Sequence, residues 1–236
     1  MTTTLITGAG RGLGLESARE LVRAGHRVYL GARDPARGAA AARATGGRVL
    51  PLDVTSDASV RAAADRLREE AGHLDVLVNN AGIAGPGGPP DTVTAADLEE
   101  VYATNVFGPV RVLHAFLPLL RAGDGTPVVV NVSSGLGSLA VAAEPERLGS
   151  WVPDWIPVLP YASSKAALNM VTVQYAHAYP DLRINAVDPG FTATDLNGHT
   201  GTRTVAEGAE IIVRMARIGP DGPTGTFVSS AGAVPW

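Results

Sequence analysis

The sequence predicts an α/β fold in which a parallel sheet is covered by helices on both faces. Three observations point there. Short apolar runs alternate with helical patterns along the chain, and such alternation builds a parallel sheet. The first run, Leu5-Ile6, enters a glycine turn, Thr7-Gly8-Ala9-Gly10-Arg11-Gly12-Leu13-Gly14, which leaves in a helical pattern. Finally, Arg33, Asp53 and Asn80 recur at or just past successive strand ends, the edge at which such sheets bind ligands.

Composition bounds the rest. A chain of 236 residues with 45% apolar content suits one sizeable domain. Aromatics make up only 5%, so the core must be built from Ala, Val and Leu. The net charge of −4, with both signs interspersed, gives no nucleic-acid footprint. No apolar run approaches the ~20 residues that span a bilayer, and no signal peptide is read at the N-terminus. A soluble cytoplasmic protein is the expectation. Without cysteine there are neither disulfides nor thiolate metal sites. His26, His73, His114, His177 and His199 are scattered without ligand spacing, so no metal is expected.

Each element follows in order. The first helix carries Leu13, Leu15, Ala18, Leu21 and Val22 and stops near Gly25. Arg27–Leu30 is a second strand, ending in Gly31-Ala32-Arg33. Asp34-Pro35 starts the next helix, with Asp as cap and Pro in the first turn, and the helix runs to about Gly46. Val49–Asp53 is the third strand. Ser56 or Asp57 caps a helix with Val60, Ala64 and Leu67 on its apolar face. Leu74–Val78 is a buried fourth strand running into Asn79-Asn80-Ala81-Gly82. The Pro/Gly-rich stretch 85–90 reads as a mobile surface loop near the site. Thr94 with Asp97 caps a helix in which Asn105 shares an apolar face with Leu98 and Val101. Val128–Val132 is a β-branched fifth strand leading to Ser133-Ser134-Gly135.

An irregular, proline-rich stretch of about 140–160 follows, holding Trp151 and Trp155. These either wall a substrate pocket or attach the insert to the body. Tyr161-Ala162-Ser163-Ser164-Lys165 opens another helix. Arg183–Val187 is the sixth strand, followed by Asp188-Pro189-Gly190. A helix around 204–218 and a short strand around 226–229 close the domain. No second-domain boundary is read.

Two of these features speak to chemistry. The amides at a helix N-terminus attract phosphate, so the glycine turn is either a seat for a dinucleotide pyrophosphate or only a tight turn. Its spacing, Gly8-x3-Gly12-x-Gly14, differs from the usual dinucleotide fingerprint. The spacing of four puts Tyr161 and Lys165 on one helix face. Lys165 is the only lysine in the chain; the other 18 basic residues are arginine. A compact ammonium is not interchangeable with a guanidinium, which makes this pair the most informative feature.

Taken together, the sequence resembles the short-chain dehydrogenase/reductase family, and its carbonyl-reductase-like members in particular. The motifs are Thr7-Gly8-x3-Gly12-x-Gly14, Asp53-Val54, Asn79-Asn80-Ala81-Gly82, Asn105, Ser134 with Gly137, Tyr161-x3-Lys165, Asn185 and Pro189-Gly190. The resemblance implies a single-domain Rossmann-like fold over residues 1–236 with a seven-stranded parallel sheet. It also implies a nicotinamide cofactor and carbonyl/alcohol redox chemistry on a small-molecule substrate. Catalysis would fall to Asn105, Ser134, Tyr161 and Lys165. The cofactor would meet Gly8, Arg11, Gly12, Leu13, Gly14, Arg33, Asp53, Val54, Asn80, Ala81, Tyr161, Lys165, Pro189, Gly190 and Thr192. The 27 positions from Ser134 to Tyr161 are more than most compact members have. That insert argues for a homodimer or monomer rather than the usual tetramer.

In this reading Tyr161 is the acid–base group, with Lys165 lowering a phenol pKa that is ordinarily about 10. Lys165 would also hold ribose hydroxyls. Ser134 would bond the substrate oxygen, and Asn105 would hold a water linking Lys165 to solvent. An acid after the second strand would bind a ribose 2′-hydroxyl. Here that point reads Gly31-Ala32-Arg33, and Arg11 adds a second guanidinium. Two arginines suit a 2′-phosphate, so NADP(H) is expected in preference to NAD(H). The alternatives are an extended-branch epimerase or dehydratase and a non-catalytic nucleotide-binding scaffold or sensor. The first normally appends a domain after the sixth strand, whereas only 46 residues follow Gly190. The apolar loops point to a hydrophobic ketone.

Overall fold

Val, Leu and Ile dominate the strands because every strand of the sheet's centre is covered twice. In β1 (Thr3–Thr7), Leu5 packs into the core on one face and Ile6 into the core on the other. The same split separates Leu77 from Val78 in β4 (Val76–Asn79) and Val129 from Val130 in β5 (Val128–Val132). Successive side chains of a strand point to opposite faces, and a parallel sheet buried on both sides reads as a continuous apolar run. Each such side chain taken fully from water contributes roughly 1.5–3 kcal/mol.

This architecture is that of a computed structural model describing residues 1–144 and 157–236. Trp151, Trp155 and most of the proline-rich stretch lie outside the described residues. After β1 the chain forms α1 (Gly12–Arg23), β2 (Arg27–Ala32), α2 (Pro35–Thr45), β3 (Arg48–Pro51), α3 (Asp57–Ala71) and β4. It continues through α4 (Ala95–Asn105), α5 (Phe107–Leu120), β5, α6 (Leu139–Ala143), α7 (Leu159–Ala178) and β6 (Arg183–Asp188). It ends with α8 (Val205–Ala216), β7 (Phe227–Ser229) and β8 (Gly232–Ala233). The strand order is β3-β2-β1-β4-β5-β6-β7-β8. Pairs from β3 to β7 are parallel; β8 alone is antiparallel to its neighbour. The fold is therefore the expected single-domain Rossmann-like α/β sandwich, with a short eighth strand added to the seven parallel ones. Among the described residues no helix is long and apolar enough to cross a membrane.

Local chemistry sets the boundaries. The Asp34 carboxylate accepts from the amides of Ala36 and Arg37, and Pro35 fits the first turn, so α2 starts there. Ser56 caps α3, and Gly46 and Gly72 end α2 and α3 in left-handed conformations. Thr94 with Asp97 and Thr204 with Glu207 form capping boxes. Several expectations need correction. Strand β3 stops at Pro51, which leaves Asp53 beyond it, and β4 starts at Val76. The stretch between Asn105 and Val128, unassigned above, holds the apolar helix α5, which begins directly behind α4. Residues 139–143 of the presumed irregular insert are helical, because Ser138 caps them. In the loop at 85–90 the Gly88 amide donates to the Pro157 carbonyl at 2.9 Å.

The order matters for function. The chain runs outward from β1 to β2 and β3, then returns to the other side of β1 for β4. The crevice beyond the C-terminal ends of β1 and β4 is where such sheets receive ligands.

Candidate active site

The glycine turn fills that crevice. Gly8 and Gly12 adopt φ of 66° and 54°, a region other residues avoid. A Cβ on Gly8 would stand 2.9 Å from Ala81 Cα, and one on Gly14 would stand 2.5 Å from Asn80 Nδ2. The turn is thus pressed backbone to backbone against Asn80-Ala81 at the end of β4. Asn80 Nδ2 donates to the carbonyls of Thr7 (2.9 Å) and Gly8 (3.2 Å), while Thr7 Oγ1 accepts from the Asn80 and Ala81 amides. Asn80 thereby shapes the turn with the side chain expected to meet the cofactor. Arg11 precedes α1 without capping it by its side chain, leaving the positive helix end open to an anion. Leu13 packs partly buried against the core on α1's side of the sheet.

Arg11 is paired with an acid from a distant part of the chain. Its Nη1 is 2.6 Å from Asp195 Oδ2, whose other oxygen meets His199 at 2.7 Å. Arg33 is exposed at the end of β2. Arg37, missed above, borders the glycine turn: a Cβ on Gly10 would be 3.4 Å from Arg37 Cβ, and the Arg37 guanidinium lies 3.5 Å from Asp34. Its place in the first turn of α2, just past the end of β2, was the available signal. Burial pushes Asp53 up, but hydrogen bonds from Thr55 and the charges of Arg33 and Arg111 hold it below its ordinary value. Val54 is buried, and its carbonyl accepts from Arg111 at 2.7 Å.

From Ala81 the backbone leads directly to the second cluster. A Cβ on Gly82 would lie 3.4 Å from Asn105 Oδ1 and 3.8 Å from Lys165 Nζ. Asn105, the last residue of α4, is buried and clamps the neighbouring backbone. Its Oδ1 accepts from the Ile83 amide, and its Nδ2 donates to the Ile83 carbonyl and to Ser164 Oγ, all at 2.9 Å. Both donors of the Asn105 amide therefore serve the protein.

Tyr161, Lys165 and Ser134 come together. Lys165 is buried, and its ammonium donates to the Val132 carbonyl at 2.7 Å and lies 5.5 Å from the Tyr161 ring centre. Burial alone lowers its pKa to about 8. The Tyr161 phenol is pushed up to about 12, by burial first and by the charge of Asp188 second, against a hydrogen bond with Ser134. The phenol therefore stands above its ordinary value rather than below it as expected, because desolvation is the largest influence on it.

Asp188, also missed, directly precedes Pro189-Gly190. Its buried carboxylate accepts from the amides of Gly190, at 2.9 Å, and Gly135, yet burial raises its pKa. Gly190 has φ of 73°, and Thr192 Oγ1 donates to the carbonyls of Pro189 and Gly190. The segment continues over the glycine turn, where Thr194 is 3.7 Å from the position of a Cβ on Gly12.

Comparison with known proteins gives a consistent result. The sequence family described as short chain dehydrogenase matches residues 2–146. The (+)-neomenthol dehydrogenase of Arabidopsis thaliana is 34% identical over 281 residues, covering 95% of each chain. The carbonyl reductase (NADPH) 1 of Homo sapiens is 34% identical over 274 residues, covering 98% of this chain and 97% of that one. Among solved structures, the NADPH-bound carbonyl reductase from chicken fatty liver superposes with a TM-score of 0.85 at 27% identity, covering 100% of this chain and 99% of that one. A glycine turn at the sheet's switch point, a Tyr-x3-Lys helix beside it and relatives matched along nearly their full length agree: the chain belongs to the short-chain dehydrogenase family.

Proposed function

We propose that the protein reduces a ketone or aldehyde to an alcohol with NADP(H), using Tyr161 as the general acid. The observation that carries this reading is the cluster of Tyr161, Ser134 and Lys165, joined to the glycine turn through Ala81-Gly82. The residues fit a dinucleotide: the turn leaves no room for Cβ atoms at Gly8 and Gly14, and the N-terminus of α1 is open. Gly12, Leu13 and Gly14 would present amides to the pyrophosphate. Arg33 and Arg37, with Arg11 if it leaves Asp195, would hold a 2′-phosphate, since guanidinium groups bind phosphate as forks. Relatives whose names carry NADPH support this choice.

The cofactor, when bound, supplies the hydride that the carbonyl carbon receives. With its pKa near 12, the Tyr161 phenol is protonated at neutral pH and holds the proton that the substrate oxygen must take. Ser134 Oγ would donate to the same oxygen and favour the charge developing there. Lys165 would stabilise the phenolate that remains, and proton transfer of this kind is worth roughly 10²–10⁴ in rate.

The test is NADPH consumption over a panel of ketones and aldehydes, with Tyr161→Phe as control. The parent is expected to turn over at least one carbonyl, and the variant to lose about 10² or more in kcat while still binding NADPH. A phenylalanine variant as fast as the parent, or NADPH binding without turnover across the panel, would overturn the reading.

A further inference from the structure

We infer that Asn169 is a positioning residue that fixes Ser134 against the Tyr161 helix. The inference rests on the proposed role of Ser134. Tyr161, Lys165 and Asn169 follow one another at intervals of four, so they line one face of α7. Asn169 is as buried as Lys165, each 4% exposed. Its Oδ1 accepts from Ser133 Oγ at 2.6 Å, and its Nδ2 donates to the Gly137 carbonyl at 3.1 Å. Those partners bracket Ser134: one immediately precedes it, and the other closes the turn that Ser134 opens, where the Gly137 amide donates to the Ser134 carbonyl at 2.8 Å.

One side chain therefore grips both ends of the turn that carries Ser134. The grip is tight, because a Cβ on Gly137 would lie 2.6 Å from Lys165 Cβ. Turn and helix touch with no space for adjustment, and the amide sets their register. Without it, the Gly137 carbonyl would be buried without its side-chain partner and the Ser133 hydroxyl would keep only the Lys165 carbonyl at 3.5 Å, so the turn would shift to recover the lost bonds. Displacing a reacting group by about 1 Å can cost 10²-fold in rate. A neighbouring chain of buried hydrogen bonds supplies the contrast. Asn79 Nδ2 donates to Asn131 Oδ1, and Asn131 Nδ2 to Thr172 Oγ1, each at 2.8 Å. Its two hydrogen bonds tie the same helix to the sheet and involve none of residues 133–137.

The experiment is a double-mutant cycle on NADPH-dependent reduction of 4-nitrobenzaldehyde, or of another panel carbonyl that the parent turns over faster. Asn169→Ala is expected to lower kcat about tenfold to a hundredfold with the NADPH dissociation constant unchanged. In a Ser134→Ala background the same change is expected to have no further effect. Ser133→Ala, which removes the partner from the other side, is expected to repeat the pattern should Asn169→Ala fail to fold. Thr172→Val is expected to lower the melting temperature without coupling to Ser134. Additive losses from Asn169 and Ser134, or from Ser133 and Ser134, would overturn the inference alone. A parent inactive on every carbonyl, or a Ser134→Ala variant as fast as the parent, would overturn the proposed function and this inference with it.

Discussion

Replacing Lys165 by methionine should stabilise the protein at neutral pH while abolishing its activity. The ammonium is buried, and burial lowers its pKa from 10.5 to about 8. Each tenfold change in proton affinity is about 1.4 kcal/mol, so holding the charge inside costs about 3 kcal/mol below pH 8. The unfolded chain keeps its proton up to about pH 10.5. The parent therefore recovers that stability as pH rises from about 8 to about 10.5, and loses it again as pH falls back from about 10.5 to about 8. Methionine has a similar length and no charge, so Lys165→Met removes the penalty. It also removes the 2.7 Å bond to the Val132 carbonyl, which offsets about 1–3 kcal/mol of the gain. The lost bond acts at every pH, whereas the protonation penalty does not. Urea denaturation of both proteins at pH 7 and pH 10.5 separates the two. The variant's stability relative to the parent is expected to fall by about 3 kcal/mol between those values. Parallel stability curves would refute the claim that Lys165 is a desolvated charge, and undiminished turnover by the variant would refute its proposed role.

Three further outcomes are expected. Arg33→Ala should lower kcat/KM for NADPH about tenfold to a hundredfold, the worth of a charged hydrogen bond, and leave NADH unaffected; equal losses with both cofactors would count against a 2′-phosphate contact. Asp188→Asn removes the charge that, after burial, raises the Tyr161 phenol, so the pH profile of kcat/KM for alcohol oxidation should move to lower pH; an unmoved profile would show that burial alone sets it. Asp34→Ala should cost about 1 kcal/mol through the lost cap, seen as a melting temperature lower by about 2–4 °C. Use of NADH should not change, because the Asp34 carboxylate is bonded to the amides of Ala36 and Arg37.

Much of the fold was legible because its signals are local. Asp34-Pro35, Ser56, Thr94 with Asp97 and Thr204 act on amides within three residues. The apolar runs of β1, β4 and β5 report burial on two faces directly. Helix α5 was missed because Pro109 and Pro118 mask an otherwise apolar helix, and β8 because two residues carry no periodicity. The site shows the same division. Tyr161 and Lys165 lie one helical turn apart, so their spacing reveals them. The partners that decide what the site residues can do come from afar. Asp195 is 184 positions from Arg11 and takes its guanidinium, and Asn80 reaches back 73 positions to shape the glycine turn.

By itself, then, the sequence determined the alternation of strands and helices, the caps that bound them, and which residue types could do acid–base work. Only the tertiary structure decided how tightly Tyr161 and Lys165 hold their protons. Spacing suggests attraction between a phenol and an ammonium, but the balance between attraction and desolvation depends on how much water surrounds each group. That is fixed by elements distant in sequence: the end of β5 supplies Val132 to the ammonium, and the end of β6 places Asp188 near the phenol.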